Sequence, residues 1–203
     1  MPRTRARRRV PLRGSTPRHV ALALTPHPQA RAPFSFAALK GRPVLVVNVA
    51  SACGLTAQNY AELVDVYEPL KAQKQLEVLA FPCDQFMHQE KGDTAEVCSF
   101  AARKGAKWPV FDKARACVRR RAVRCATRAR RAVLTACAHD TAQVEVNGPG
   151  MLPVYAFLKA SSGDPSDVEW NFGKFLLDGS GKVVKRYPPD VPPKALVKDI
   201  EAL

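Results

Sequence analysis

Cys53 ends the run VLVVNVASACG and stands directly before a glycine and a helical pattern. A sulfur in that position could act as a nucleophile. Val44 to Val49 are mostly apolar and β-branched, as in a buried strand of a parallel sheet. Gly54 breaks that strand, and Thr56 is placed to cap the next helix through its hydroxyl. From Asn59 onward Tyr60, Leu63, Tyr67 and Leu70 recur at spacings of three and four, the pattern of an amphipathic helix. The cysteine therefore sits between a strand end and a helix N-terminus. The partial positive charge there favours thiolate over thiol, and thiolate is the nucleophilic form. A buried structural cysteine is the competing reading.

The other five cysteines fall into two groups. Cys83 and Cys98 lie in regular, patterned sequence, whereas Cys117, Cys125 and Cys137 all lie in an Arg-rich block. That distribution fits reactive or incidental thiols in a reducing compartment better than a disulfide framework. Cys117, Cys125, Cys137 and His139 could be read as zinc ligands, but their spacing is not that of common zinc modules. No metal is expected.

The elements that must position Cys53 follow a simple order. Strands are expected near 44–50 and 76–81, with helices near 58–72 and 93–104. Pro153 to Lys159 reads as a short strand or a helical turn. Phe172 to Leu177 and Lys182 to Arg186 flank DGSG, a hairpin signal. Pro192 to Leu203 reads as a closing helix with Leu196, Ile200 and Leu203 on one face. Strands separated by helices, followed by a hairpin and a helix, imply an α/β fold with a mixed sheet covered by helices.

The net charge is +14, which at first suggests a nucleic-acid or anionic-membrane partner. Its distribution argues otherwise. Residues 1–33 hold eight Arg and no acid, and residues 114–143 hold eight Arg and one Asp. These blocks contribute +8 and +7, which leaves −1 for the rest of the chain. The body offers no basic face for nucleic acid, and no apolar run approaches the ~20 residues of a membrane helix. Residues 1–33 read as a disordered or targeting leader, similar to an organellar transit peptide. Residues 34–203 read as one domain, interrupted at 114–143. That block breaks FDK from VEVNGP, which read naturally as one segment, and has the character of a disordered loop or a translated non-coding insertion.

Three blocks, NVASACGLTAQNY, FPCDQFMHQEKG and WNFGKFLLDGSGKVVKRY, resemble the signature blocks of the glutathione peroxidase family. The resemblance covers nearly all of 34–113 and 144–203. It implies a thioredoxin-like fold and reduction of hydrogen peroxide and organic or lipid hydroperoxides. It also implies no cofactor beyond a thiol reductant, thioredoxin or glutathione, which is then also the expected partner. Cys53 matches the peroxidatic position, and Gln89, Trp170 and Asn171 match the rest of the catalytic tetrad. The chemistry is consistent with those residue types. A thiolate attacking an O–O bond is helped by neutral donors, and Gln, Asn and the Trp indole supply them.

The sequence departs from the family pattern in four places. Asp84 stands where the family usually has Asn, which would put a negative charge near the thiolate. The segment FSFAALKGRPV lacks a strand pair usual in the family. The third departure is the 114–143 block. Fourth, the usual resolving position aligns with Ala102, and Cys98, one helical turn earlier, is the resolving candidate. The short segment before WNF resembles that of monomeric members with an open site. Cys83 reads as structural. The leading expectation is a peroxidase working through Cys53. The alternatives are a redox relay that passes oxidation from Cys53 to partner proteins, and a nucleic-acid or membrane binder resting only on the Arg blocks. A transit-peptide leader would direct the chain to a chloroplast or mitochondrion, and without one a cytoplasmic location is expected.

Overall fold

The computed structural model describes residues 36–111 and 144–203. The leader 1–33 and the block 114–143, with Cys117, Cys125, Cys137 and His139, lie outside the described residues.

A four-stranded mixed sheet carries the fold, in the order β2-β1-β3-β4. β1 (Val44–Val49) pairs in parallel with β2 (Glu77–Pro82) and antiparallel with β3 (Lys174–Leu177). β4 (Val183–Tyr187) closes the far edge as the second arm of the expected hairpin. The alternation of side chains along β1 divides the core. Leu45, Val47 and Val49 enter one apolar cluster, and Val44 and Val46 enter the other. All six residues of β1 are buried, as expected for a central strand covered on both faces.

The first cluster is roofed by α1 (Thr56–Lys74), α2 (Thr94–Arg103) and α4 (Val197–Glu201). Tyr60, Leu63, Tyr67 and Leu70 of α1 are each 2% exposed or less. Burial of each such side chain stabilises the fold by roughly 1.5–3 kcal/mol. α2 begins with a capping box. Asp93 accepts the Glu96 N–H, and the Glu96 carboxylate accepts the Asp93 N–H. The second cluster lies under α3 (Pro153–Ser161), where Phe81 stacks on Phe111 and meets Tyr155 edge-on.

Three sequence expectations need adjusting. Pro153–Ser161 is a helix with proline in its first turn, where the missing N–H costs nothing. The closing helix is a 3-10 turn, Pro193–Leu196, followed by α4. Leu196 and Ile200 are buried as expected, but Leu203 is 42% exposed because the helix ends before it.

The described residues on either side of 112–143 converge on β2. Val110 bridges Ala80, the Phe111 N–H donates to the Ala80 carbonyl, and the Val144 N–H donates to the Pro82 carbonyl. Phe111, Val144 and Val146 share one cluster. Gln85 reinforces the return. Its Oε1 accepts the Val146 and Asn147 N–H groups, and its Nε2 donates to the Asn147 carbonyl. Phe111 and Val144 thus meet one strand edge, two positions apart on β2. Deleting 114–143 is therefore expected to preserve the fold. On chain length alone it should lower the loop-closure cost by roughly 2 kcal/mol. A thermal melt checks this: a deletion variant melting below the parent would show that the segment supports the domain.

Candidate active site

Cys53 lies four residues beyond the end of β1 and three before the start of α1. It is 8% exposed and packs with the first core cluster. Its turn is braced from inside. The Thr56 hydroxyl donates to the Ala50 carbonyl at 2.7 Å and accepts the Cys53 N–H at 3.2 Å. Thr56 is the first residue of α1, so its hydroxyl shapes the cysteine turn instead of capping the helix, and Leu55 takes the cap position. The Leu55 N–H donates to Cys53 Sγ at 3.5 Å. A backbone donor aimed at sulfur is best satisfied by an anionic acceptor.

Gln89 reaches this turn through its main chain. Its carbonyl accepts the Ala52 N–H at 3.0 Å, which joins the loop after β2 to the residue preceding Cys53. Asn171 meets Gln89 through its side chain, with Nδ2 donating to Gln89 Oε1 at 2.9 Å. That bond occupies the Gln89 acceptor and leaves its Nε2 hydrogens without a partner among the described residues. Asn171 itself is fully buried.

The 170–173 turn is held by the sheet. Asn48 Nδ2 donates to the Trp170 carbonyl at 3.0 Å, and the Asn48 carbonyl accepts the Phe172 N–H at 2.7 Å. Phe172 is held at φ 69°, a left-handed conformation costly for a side chain of its size. Gly173 follows by necessity, because a Cβ there would come within 2.9 Å of Val168 and 3.2 Å of Asn48 Oδ1. Lys174 locks the turn from below. Its buried ammonium donates to the carbonyls of Phe172 and Val191, and burial lowers its pKa to about 8. Trp170 is partly exposed, touches both core clusters and lies 5.7 Å from the ring of Phe86. The structure thus joins Cys53's turn, Gln89 and Asn171 by direct bonds, and it anchors Trp170 to the adjoining strand end.

The loop 84–90 carries strain as well. Met87 and His88 both adopt positive φ, 52° and 51°, and Met87 is 75% exposed. Asp84 organises the loop. One carboxylate oxygen accepts the Glu90 N–H, and the other pairs with His88 Nδ1 at 3.0 Å. The charge expected to bear on Cys53 is thus engaged within its own loop, and it pushes up the pKa values of Glu90 and Cys83. Cys83 is fully buried, and burial first of all lifts its thiol to about 11, as suits a structural cysteine. Cys53, Cys83 and Cys98 are all outside disulfides. Among the described residues no group of His, Cys, Asp and Glu could hold a metal ion, and no helix is long and apolar enough to cross a membrane.

The glutathione peroxidase family profile matches residues 22–120. A probable phospholipid hydroperoxide glutathione peroxidase of Mesembryanthemum crystallinum is 42% identical over 167 residues, covering 81% of this chain and 80% of that protein. The chain belongs to the glutathione peroxidase family. A chloroplastic phospholipid hydroperoxide glutathione peroxidase of Pisum sativum is 45% identical over 172 residues. The match covers 83% of this chain, which spans about 60% of that relative's length. The crystal structure of Trgpx in apo form superposes with a TM-score of 0.58 at 26% identity, covering 91% of this chain and 95% of that one. The thioredoxin-like fold expected from the sequence is therefore the fold observed.

Within this glutathione peroxidase fold, three supports escape a motif reading. Asn48 is the one polar residue in an apolar strand, and that contrast was a visible signal. Glu90 and Ser51 are joined by a 2.7 Å bond across 39 residues, which no local pattern encodes.

Proposed function

We propose that this chain is a thiol-dependent peroxidase that reduces hydrogen peroxide and organic or lipid hydroperoxides through Cys53. The observation that carries the reading is the sulfur at the head of α1, with the Leu55 N–H directed at it and the Gln89 main chain bonded to the same turn. Family membership supports it. In the first step the Cys53 thiolate attacks one peroxide oxygen and the O–O bond breaks. Sulfur is oxidised to a sulfenic acid, and the departing oxygen takes a proton and leaves as water or alcohol. The Gln89 and Asn171 amides and the Trp170 indole supply neutral donors for this charge movement.

A second thiol then attacks the sulfenic sulfur, water leaves and a disulfide remains. Cys98 is the internal candidate for that thiol, and thioredoxin or glutathione is the external reductant. Phospholipid hydroperoxides are included because the relatives are named for them and the segment before Trp170 is short. That short segment also supports a monomer with an open site. Delivery to a chloroplast or mitochondrion belongs to the same proposal. It is supported by the acid-free, Arg-rich residues 1–33 and by the organelle named for the Pisum sativum relative.

Both thiols are buried, Cys53 at 8% and Cys98 at 7% exposure, and a disulfide needs Cα atoms within about 7 Å. Resolution by Cys98 therefore requires α2 to open locally. Its C-terminal flank eases this, because Gly105 already departs from helix at φ +85°. After one equivalent of hydrogen peroxide, peptide mass mapping is expected to show a Cys53–Cys98 disulfide that thioredoxin reduces. Cys53 found only as sulfinic acid, or only joined to added glutathione, would make Cys98 a bystander. Absence of any oxidation at Cys53 would remove the peroxidase reading itself.

A further inference from the structure

Glu90 follows Gln89 directly, and the peroxidase chemistry above does not use it. Its side chain is buried to 1% exposure. Oε1 accepts the Ser51 hydroxyl at 2.7 Å, whereas Oε2 is shut off from solvent with no hydrogen-bond partner among the described residues. Ser51 belongs to the Cys53 turn, and its neighbour Ala52 donates its N–H to the Gln89 carbonyl. Two successive bonds therefore stitch residues 89–90 to residues 51–52. A depression of about 150 Å³ adjoins the stitch, lined by Ser51, Glu90, Gly92, Glu96 and Arg103 among others.

We propose that Glu90 is a positioning residue, whose carboxyl acts through Ser51 to hold Gln89 in register with Cys53, firmly when protonated and loosely when ionised. The inference deepens the peroxidase reading of this site and rests on it. A neutral carboxyl keeps an acceptor for Ser51 and needs no counter-charge. An ionised one leaves a buried oxygen bearing charge without a donor, a costly state. The nearest relief is water drawn in from the adjoining depression, and admitting it parts residue 90 from residue 51.

The surrounding charges are mixed. Asp84 faces Glu90 from its own loop, with His88 bound to Asp84's other oxygen. The Tyr60 hydroxyl approaches from α1, close enough for Glu90 and Cys98 to add to the burial that keeps it neutral. Glu96 and Arg103 face the depression from α2, one opposing ionisation and one favouring it. Burial first of all, opposed by the Ser51 hydroxyl and backbone N–H and aided by Asp84, lifts the Glu90 pKa to about 7. Both states are therefore populated near neutrality. The folded chain holds this proton more tightly than the unfolded chain does. Its contribution to stability is complete below the ordinary carboxyl value of 4.5 and is lost as pH rises through about 7.

The test is the second-order rate of Cys53 oxidation by hydrogen peroxide between about pH 5 and pH 9, corrected for the separately measured thiolate fraction. The parent should show an extra step near pH 7, a fall of about fivefold, the loss of one ordinary hydrogen bond. Glu90→Gln keeps an acceptor for Ser51 and cannot ionise, so the step should vanish. Ser51→Ala should lose the step in rate as well, because the coupling runs through its hydroxyl. Melting temperature against pH supplies a readout independent of activity. Stability should fall through the same window in the parent and in Ser51→Ala, and not in Glu90→Gln. A step that persists in Glu90→Gln or Ser51→Ala overturns the inference and leaves the peroxidase reading standing. A parent whose Cys53 does not react with peroxide removes both.

Discussion

Replacing Cys53 with serine is expected to abolish peroxide reduction, a loss of at least about a thousandfold. The chemistry needs an anionic nucleophile near neutral pH. A thiol ionises far more readily than a hydroxyl. The substitution is also gentle. Serine is close in size, and its oxygen can accept the Leu55 N–H that Sγ now takes at 3.5 Å. The variant should therefore fold and melt near the parent, so that loss of rate reports chemistry and not collapse. Stopped-flow measurement of the second-order rate with hydrogen peroxide checks it. Retention of a substantial part of the parent rate would move the reactive sulfur elsewhere. Sustained turnover with thioredoxin in the parent would separate a peroxidase from a relay, which needs a stable mixed disulfide with its target.

Gln89→Glu should cost on the order of a hundredfold in the same rate, the usual effect of losing one pre-positioned donor. Asn171 Nδ2 occupies Gln89 Oε1, and the glutamate retains an oxygen for that bond. What disappears is the pair of hydrogens on Nε2, and what appears is a carboxylate beside the Cys53 turn. Both changes work against a developing negative charge on the departing oxygen. The Gln89 carbonyl is untouched, so its bond to the Ala52 N–H survives and the turn keeps its shape. If the rate with peroxide is unchanged while the melting temperature holds, the amide takes no part in the chemistry. A comparable fall in Asn171→Ala would indicate that orientation of the Gln89 amide is itself required.

The elements around Cys53 were legible because their signals are local. Val44–Val49 carries the apolar run of a central strand, and Tyr60, Leu63, Tyr67 and Leu70 mark the helix face that covers it. The DGSG turn fixed the pairing of β3 with β4. Cys53 stood out by its place between a strand end and a helix start, whereas Gln89, Trp170 and Asn171 became candidates only through the three signature blocks, since nothing in their spacing brings them together. The bonds that do so join residues 82 and 122 apart, Gln89 with Asn171 and Asn48 with Trp170. Thr56 shows a different limit. A threonine before a helix suggests a cap, but two backbone groups of the cysteine turn compete for the same hydroxyl and win. Leu203 carried the right spacing but lies past the helix end, where the period no longer applies.

The convergence of Phe111 and Val144 on Ala80 and Pro82 has a mechanical consequence. A pull applied across the intervening segment would load only the short contacts that 110–111 and 144–147 make with β2 and with Gln85. Both docking points lie on the C-terminal half of β2, where Ala80 pairs with Val47 and Pro82 with Val49, the strand end that leads to Cys53. The junction thus behaves as a lever and not as an idle port. Cargo hung from it, whether gained by genetic accident or placed there by an engineer, would tug first on the strand end and the loop that carry Cys53 and Gln89.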